Sequence, residues 1–172
     1  TAGTGTFYNL GSATLTSLTN AGTFIANNAS TTTIAGTITN TGSILISSSG
    51  SFTDLSLSGN VTLTGTCVLT LVNADRGLGS GILPNINHTL QGETSNSGSI
   101  GTNELAIVNR SGGLINANVA GLFLLLDPNA ASGLTNTGIM QASGGGRLRP
   151  TGNGAGGFNN AGGLVQALDG PR

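Results

Sequence analysis

Apolar and polar residues alternate along much of this chain, and the alternation is clearest between residues 61 and 71. There the apolar side chains occupy odd-numbered positions, and threonine occupies most of the even-numbered ones. The apolar set is Val61, Leu63, Cys67, Leu69 and Leu71, and the threonine set is Thr62, Thr64, Thr66 and Thr70. A period of two indicates strands with one buried face. Because Gly and Thr interrupt every segment with a period near that of a helix, we expect few helices.

A second pattern repeats at a longer interval. Asn20, Asn40 and Asn60 are twenty residues apart, and each precedes an apolar run, "TFIA", "SILIS" and "VTLTGTCVLTL". The same frame continues less regularly at four later positions, Asn96, Asn109, Asn136 and Asn160. Repeats of this length are typical of solenoids, propellers and arrays.

Two architectures bury one face of many short strands: antiparallel hairpins in a sandwich, and the stacked coils of a β-helix. Hairpins favour two-residue turns such as Asn-Gly, whereas the repeated turn here is Asn-x-Gly and the whole unit recurs in the same sense. We therefore predict an all-β, right-handed parallel β-helix that forms a single domain over residues 1–172. At about 20 residues per coil, the chain would make roughly eight or nine coils spaced by about 4.8 Å.

In such a fold, equivalent residues of successive coils lie one above another. We expect the repeated asparagines to form a ladder at a bend, because Asn tolerates left-handed backbone angles and its amide can bond to its copies. The predicted ladder residues are Asn20, Asn40, Asn60, Asn109, Asn136 and Asn160.

Composition narrows the possible partners. Only 6% of the residues are charged, Lys is absent, and the net charge is -1, so no electrostatic attraction for nucleic acid or an anionic membrane is expected. No apolar run is long enough to span a bilayer as a helix, so we expect no membrane insertion. Cys67 is the single cysteine and excludes an internal disulfide. The chain begins with Thr1 rather than Met, from which we expect a processed or excised piece.

The segment "HTLQGETSNSGSIGTNELAIVNRSGGLINAN", which continues to "LFLLLDPNAASGLTNTGIMQASGGGRL", resembles the β-strand repeats of large bacterial surface proteins. The similar proteins are the filamentous-haemagglutinin-like and autotransporter-passenger-like β-helices. The matching features are Ile100-Gly101, the Asn109/Gly113/Ile115 turn and strand, Asp127-Pro128-Asn129, and Asn136/Gly138 followed by Gln141-Ala142. The resemblance covers residues 82–149 well and residues 15–72 loosely. It implies a β-helix at an extracellular or cell-surface location and carries no catalytic residues to transfer.

Arg147 and Arg149 depart from the pattern of these repeats, which usually continue with an apolar or Thr-rich strand. We therefore expect an irregular Gly-rich stretch at 144–157.

Candidate chemistry is sparse. His88 is the single histidine, and no Cys/His zinc spacing, G-x-S-x-G elbow or repeated calcium nonapeptide occurs. The acidic residues are scattered: Asp54, Asp75, Glu93, Glu104, Asp127 and Asp169. No two of them fall at the same phase of adjacent predicted coils, which disfavours a carboxylate pair for glycoside cleavage. We expect neither an enzyme nor a cofactor.

Two segments are candidate contact regions. Residues 73–104 concentrate charge in an otherwise uncharged chain, which indicates a loop that leaves the rod, either as a solvated connection or as a partner site. The candidate partner residues there are Asp75, Arg76, His88 and Glu93. The second segment, "LFLLL", is apolar on both faces and would be covered by a neighbouring loop or by another subunit. It comprises Leu122, Phe123, Leu124, Leu125 and Leu126.

Three classes of function fit these patterns to different degrees. The sequence favours a structural segment of a bacterial extracellular protein, either an adhesin rod or a self-assembling fibre subunit. Its partners would be other copies, joined end to end or laterally, or a host or environmental surface. The alternative is a surface-binding or ice-binding β-solenoid, although Thr-x-Thr does not recur at one phase of every coil. A polysaccharide-active β-helix is disfavoured by the scattered carboxylates.

Overall fold

The computed structural model describes residues 3–73, 75–95, 98–129, 131–151 and 156–168. Nineteen strands lie in these ranges, and no helix occurs in them. The strands are β1 (Thr6–Asn9), β2 (Ser12–Thr16), β3 (Thr19–Asn20), β4 (Thr23–Ala26), β5 (Thr31–Asn40), β6 (Ser43–Ser47), β7 (Thr53–Thr64), β8 (Val68–Val72), β9 (Asp75–Asn85), β10 (Thr89–Gly92), β11 (Ser99–Ile100), β12 (Leu105–Asn109), β13 (Leu114–Ala117), β14 (Phe123–Leu126), β15 (Leu134–Asn136), β16 (Ile139–Ala142), β17 (Arg147–Pro150), β18 (Phe158–Asn159) and β19 (Leu164–Ala167).

The strands form two sheets in which each strand pairs with the equivalent strand of the coil before or after it. The first sheet has eight strands in the order β1-β4-β6-β8-β10-β13-β16-β19, and its pairs are parallel. The second sheet contains the remaining strands, built from the long β5, β7 and β9 in the middle and from shorter strands towards both ends. Because successive coils are stacked in parallel through both sheets, the structure confirms an all-β parallel solenoid.

The coils are less uniform than the sequence spacing predicts. Thr6 pairs with Thr23, 17 residues later, whereas Leu114 pairs with Ile139 and Ile139 with Leu164, a step of 25 residues. The spacing of Asn20 and Asn40 describes a single coil, and later coils contain longer turns. The chain therefore makes fewer full turns than the predicted eight or nine.

The core is a set of columns that run along the solenoid axis. One column takes an inward side chain from each strand of the first sheet: Phe7, Phe24, Ile44, Leu69, Leu90, Ile115, Met140 and Val165. The members between the two end strands are buried, as are the alternating apolar residues between 61 and 71. Period-two alternation thus sends every second side chain to the interior.

The predicted loop excursion at 73–104 is wrong for most of that segment. Strands β9, β10 and β11 lie within it and pair with neighbouring coils in both sheets. Gly77 and Gly92 occupy inward positions of regular coils, opposite the buried Leu55 and Leu71, whereas Arg76 lies on the outer face. In the predicted irregular stretch at 144–157, β17 pairs with β14, so its first part is a strand, and residues 152–155 lie outside the described residues.

Candidate interaction surfaces

Buried asparagine side chains form a hydrogen-bonded ladder inside one corner of the solenoid. Asn20 Nδ2 donates to Asn40 Oδ1 at 2.8 Å. A second run starts at Asn85, whose Nδ2 donates to Asn109 Oδ1 at 2.8 Å. Asn109 then donates to Asn136 at 2.7 Å, and Asn136 donates to Asn160 at 2.6 Å. In each run, the side-chain amide of one asparagine donates a hydrogen bond to the side-chain oxygen of the next. Five of the six asparagines predicted for the ladder lie in it.

The sixth, Asn60, is not in the ladder, and its prediction was wrong. Asn60 is exposed, and Gly65 lies opposite Asn40 in the next coil. Gly65 has a φ of 111°, and a Cβ at this position would overlap Asn40 O. Asn85 is the ladder member that the sequence reasoning missed, because the spacing of twenty pointed to Asn60 and the later coils are longer.

A glycine column runs beside the ladder and depends on it. The pairing of the first sheet stacks Gly42, Gly113, Gly138 and Gly163 in one column. A Cβ on Gly138 would overlap Arg110 O and come within 2.9 Å of Asn109 Nδ2. The ladder and the neighbouring backbone therefore occupy the space that a side chain would need.

Cys67 and His88 take two adjacent places in this glycine column, at the point where the ladder is interrupted. Val68 pairs with Thr89, so the preceding residues Cys67 and His88 are neighbours across two coils. Both side chains are buried. With Gly65 in place of an asparagine, the interior has room for them.

Burial shifts both side chains of this pair towards their neutral forms. Burial raises the pKa of the Cys67 thiol to about 11, so the thiol is protonated near neutral pH. Burial also lowers the pKa of His88, an effect that the nearby backbone of Thr64 only partly offsets. Neither ring nitrogen of His88 has a hydrogen-bond partner among the described residues, and Asn40 Nδ2 is also without one. Within the same ranges, no group of three or more His, Cys, Asp or Glu residues could hold a metal ion.

The four predicted partner-loop residues do not form one exposed patch. Arg76 lies on the outer face, where Nε and Nη2 bind the two carboxylate oxygens of Asp54 at 2.7 and 2.8 Å. Its guanidinium also lies 4.0 Å from the centroid of the Phe52 ring. Asp75, His88 and Glu93 are instead buried, so they cannot offer a docking surface together with Arg76.

Asp75 and Glu93 instead stabilise a corner of the coil. Asp75 Oδ2 accepts a hydrogen bond from Val72 N at 2.6 Å. Glu93 accepts hydrogen bonds from Asn73 N at 2.5 Å and from Ser95 N at 2.7 Å. Burial, reinforced by the charge of Glu93, raises the pKa of Asp75 to about 8. The Asp75 carboxyl group is therefore mostly protonated at neutral pH.

The side chains of the Leu122–Leu126 segment are divided between the interior and the surface of the solenoid. Leu124 and Leu126 are fully buried, Leu122 is exposed, and Phe123 and Leu125 are half-buried on the outer face. Across the neighbouring strand, Phe123 pairs with Arg147 and Leu125 with Arg149, whose guanidinium lies 5.7 Å from the Phe123 ring. The opposite edge of β14 is bound by Thr94 and Ser95 through backbone and hydroxyl hydrogen bonds. Side chains of the same chain thus flank the outer apolar face on both sides.

Large exposed apolar residues occur in the first and last coils and also along the sides, where Phe52, Val72 and Ile82 are exposed. The large exposed apolar residues of the terminal coils are Phe7, Tyr8 and Leu10 at one end and Phe158, Leu164, Val165 and Leu168 at the other. Next to them, the interior opens into a cavity of about 170 Å³ lined by Phe7, Leu15, Leu18 and Phe24 at the first end. A cavity of about 290 Å³ lined by Met140, Leu148, Phe158 and Val165 lies at the second. In the described part of the chain, no element covers either opening.

The comparisons with known proteins identify no relative: no protein-family model, curated protein or solved structure matches this chain. Among its described residues, no helix has the length and apolar character needed to cross a membrane.

We expect Asn109→Ala to lower the free energy of unfolding by about 2–5 kcal/mol. The substitution leaves Asn136 Oδ1 without its donor and leaves Asn85 Nδ2 with only its longer hydrogen bond, to Leu114 O. It also removes the bonds that Asn109 donates, and each buried polar group left unpaired costs about 1–3 kcal/mol. Urea unfolding followed by circular dichroism measures the change. Asn60→Ala is the matched control and should change stability by less than about 0.5 kcal/mol. Equal losses in the two variants would contradict the ladder.

We expect Asp75→Asn to stabilise the protein, by an amount that increases with pH. Because the folded-state pKa of Asp75 is raised to about 8 from 3.8, its contribution to stability is full below pH 3.8 and is lost as the pH rises towards 8. An asparagine can still accept the Val72 hydrogen bond and carries no charge. The difference between the variant and the parent should grow by about 1.4 kcal/mol per pH unit in this window.

Urea unfolding at pH 5 and pH 8 checks this prediction. Asp54→Asn is the control, since it removes the ion pair with Arg76 on the outer face and should destabilise the protein at both pH values. A gain from Asp75→Asn that is the same at both pH values would show that Asp75 does not retain its proton.

Proposed function

We propose that this chain is a non-enzymatic structural segment of a bacterial extracellular or cell-surface protein, and that its role is to supply length. The observation that supports this role is the parallel stacking of coils, which runs through both sheets. The resemblance of residues 82–149 to the repeats of large surface proteins supports the extracellular location. An interior built from apolar columns and asparagine amides can be lengthened by adding coils, because each added coil makes the same contacts with its neighbour.

The low charge of the surface is consistent with this role. The described residues contain one ion pair, between Arg76 and Asp54, and the outer faces carry Thr, Ser and Asn beside exposed apolar residues such as Phe52 and Ile82. We also propose that the solenoid is right-handed, because crossovers between parallel strands of one sheet have that hand in about 98% of cases. The hand is directly visible in an experimental electron-density map.

The acidic residues support a structural role more than polysaccharide cleavage. Glycoside hydrolysis uses two carboxyl groups that flank the substrate. Asp54 is bound to Arg76, whereas Asp75 and Glu93 are buried and accept backbone hydrogen bonds. These three residues therefore do not offer a pair of accessible carboxyl groups.

An antibody raised against the chain should label intact, unpermeabilised cells of the source bacterium, because the proposal places the coils outside the cell. Immunofluorescence or immunogold microscopy measures the labelling, and an antibody against a cytoplasmic protein is the control for intact envelopes. Labelling that requires permeabilisation would overturn the extracellular role.

A second candidate function, binding to ice or another ordered surface, is favoured by columns of threonine on the outer face of the second sheet. Thr14 pairs with Thr33, Thr37 with Thr62, and Thr39 with Thr64. The hydroxyl groups of Thr39 and Thr64 are 3.2 Å apart. Threonine is stiff at χ1, so such columns present an ordered array of hydroxyl and methyl groups.

If this second candidate is correct, the chain will show thermal hysteresis, and Thr37→Lys should abolish it by placing a long charged side chain in the array. Thr70→Lys, on the outer side of β8 in the first sheet, is the control and should leave the activity unchanged. Freezing-point osmometry measures both. Absence of thermal hysteresis in the parent protein would remove ice as the surface.

A further inference from the structure

We infer that the corner formed by residues 64–68 and 85–89, here called the joint, is an acid-sensitive element that opens when the His88 ring takes up a proton. The joint lies in the middle of the solenoid, in coils that are paired with neighbours on both sides. Its response to acidity is independent of the proposed function, since it depends on the interior of these coils and not on where the chain acts.

The joint separates two blocks of coils that asparagine amides hold together. Asn20 and Asn40 are bonded in the first block, and the second block begins with the bond between Asn85 and Asn109. Between the blocks, Gly65 lies opposite Asn40, and Asn40 Nδ2 has no hydrogen-bond partner among the described residues. A change in the joint therefore acts at the break in the ladder.

His88 lies inside the joint, away from water, and its side chain is only 4% exposed. Leucine side chains line the cavity of about 10 Å³ beside the ring: Leu63, Leu69, Leu83 and Leu90. A second cavity, of about 20 Å³, is bordered by His88 and Asn40. A single water molecule needs about 10–15 Å³ and two or more polar partners, so these spaces are too small to hydrate a charged ring.

The hydrogen-bonding groups around the ring suit its neutral form. Neither ring nitrogen of His88 has a hydrogen-bond partner among the described residues. Asn40 offers a donor, and Asn85 Oδ1 already accepts a hydrogen bond from the backbone N of His88. An imidazolium has two N–H donors and a positive charge, and a buried charge without a partner is costly.

No carboxylate faces His88 from the strands around it. Strands β5, β8, β10, β12 and β13 contain no titratable residue. The charged residues of β7 and β9 are Asp54, Asp75 and Arg76. Asp54 is ten residues before Thr64, and Asp75 is ten residues before Asn85, so these charges lie far along their strands from the joint.

The titratable residues that flank the nearby strands also provide no counter-charge. Burial raises the pKa of the Cys67 thiol to about 11, so this neighbour of His88 is neutral. Glu93 follows β10 and accepts hydrogen bonds from backbone N–H groups at another corner. Arg110 follows β12, is exposed, and carries the same sign of charge as an imidazolium.

The direction of the pH dependence follows from this setting. Burial lowers the pKa of His88 from 6.5, and the backbone of Thr64 offsets this effect only in part. The stability contributed by the neutral ring is therefore full above pH 6.5 and is lost as the pH falls towards the lowered pKa. In that window, the population of the open joint should rise by up to about tenfold per pH unit.

Amide hydrogen exchange followed by NMR at pH 7.5 and pH 5.5, corrected for the intrinsic effect of pH, measures the opening. The Asp75→Asn variant is the parent for this experiment, because Asp75 has a raised pKa and would change stability in the opposite direction. Thr89 N reports on the joint, since it donates to Cys67 O at 3.0 Å. Ile139 N is the matched control in the second block, since it donates to Gly113 O at 3.0 Å.

The protection of Thr89 should fall several-fold, by up to about tenfold, between pH 7.5 and pH 5.5, whereas that of Ile139 should change by less than about twofold. Unchanged protection of Thr89 would overturn the inference. Equal losses at Thr89 and Ile139 would also overturn it, because the whole solenoid rather than the joint would then respond to acid.

Two substitutions in the same Asp75→Asn parent separate His88 from its neighbour. His88→Phe keeps an aromatic ring that cannot take up a proton, and it should abolish the acid-induced loss of protection at Thr89. Cys67→Ala removes the adjacent titratable side chain and should retain that loss. A loss in His88→Phe as large as in the parent would show that another group senses the acid.

A direct titration decides the matter even if His88→Phe does not fold. His88 is the single histidine of the chain, so its ring signals in a carbon–proton NMR spectrum are unambiguous. The ring should titrate with a midpoint below pH 6.5, over the same pH range as the loss of protection at Thr89. A midpoint at or above pH 6.5 in the folded protein would show that the ring is hydrated or paired, and it would overturn the inference.

Discussion

The asparagine ladder is the interaction on which the corner of this solenoid depends. A buried primary amide is costly unless its donors and acceptor are paired. Here each amide pairs with the same group in the next coil, as between Asn109 and Asn136. The ladder holds the coils at a common register, and it also explains the glycines, since the amides and the backbone beside them leave no room for a Cβ at Gly138.

The glycine column is also interrupted where the asparagine ladder is interrupted. Where Gly65 stands opposite Asn40, Cys67 and His88 take the places of the glycine column. Small cavities of about 20 and 10 Å³ remain beside His88, and the His88 ring and Asn40 Nδ2 are left without partners. Burial disfavours the charged form of each group, so it lowers the pKa of His88 and raises the pKa of Cys67, and both favour their neutral forms. This middle region is held by its long strands β5, β7 and β9 rather than by amide pairing.

The arrangement of surface and ends is consistent with a protein that acts through its shape. Among the described residues, Arg76 and Asp54 form the one ion pair. The buried carboxyl groups instead accept hydrogen bonds from backbone N–H groups at a corner of the coil. Large exposed apolar residues lie in the first and last coils, such as Phe7 and Val165, and also along the sides, such as Phe52 and Ile82. The outer surface thus combines few ion pairs with scattered apolar side chains.

The sequence by itself determined the class of fold. The alternation of apolar and polar residues at 61–71 indicates strands that bury one face. The repeated Asn-x-Gly motif indicates that successive coils turn at the same corner, and a parallel solenoid meets both conditions. It did not determine the coil length, because residues added to a turn change the spacing without changing the pattern of the strands. For this reason the spacing of twenty selected Asn60, which is exposed, and passed over Asn85, which is in the ladder.

Only the tertiary structure decided where the charged residues of 73–104 point. Asp75 and Arg76 are adjacent in sequence, yet one is buried and the other lies on the outer face, because successive strand residues face opposite sides. Cys67 and His88, which are 21 positions apart in the sequence, likewise become neighbours only through the pairing of their strands. Contacts between coils depend on the number of residues in every intervening turn, and that number becomes visible only when the coils are stacked.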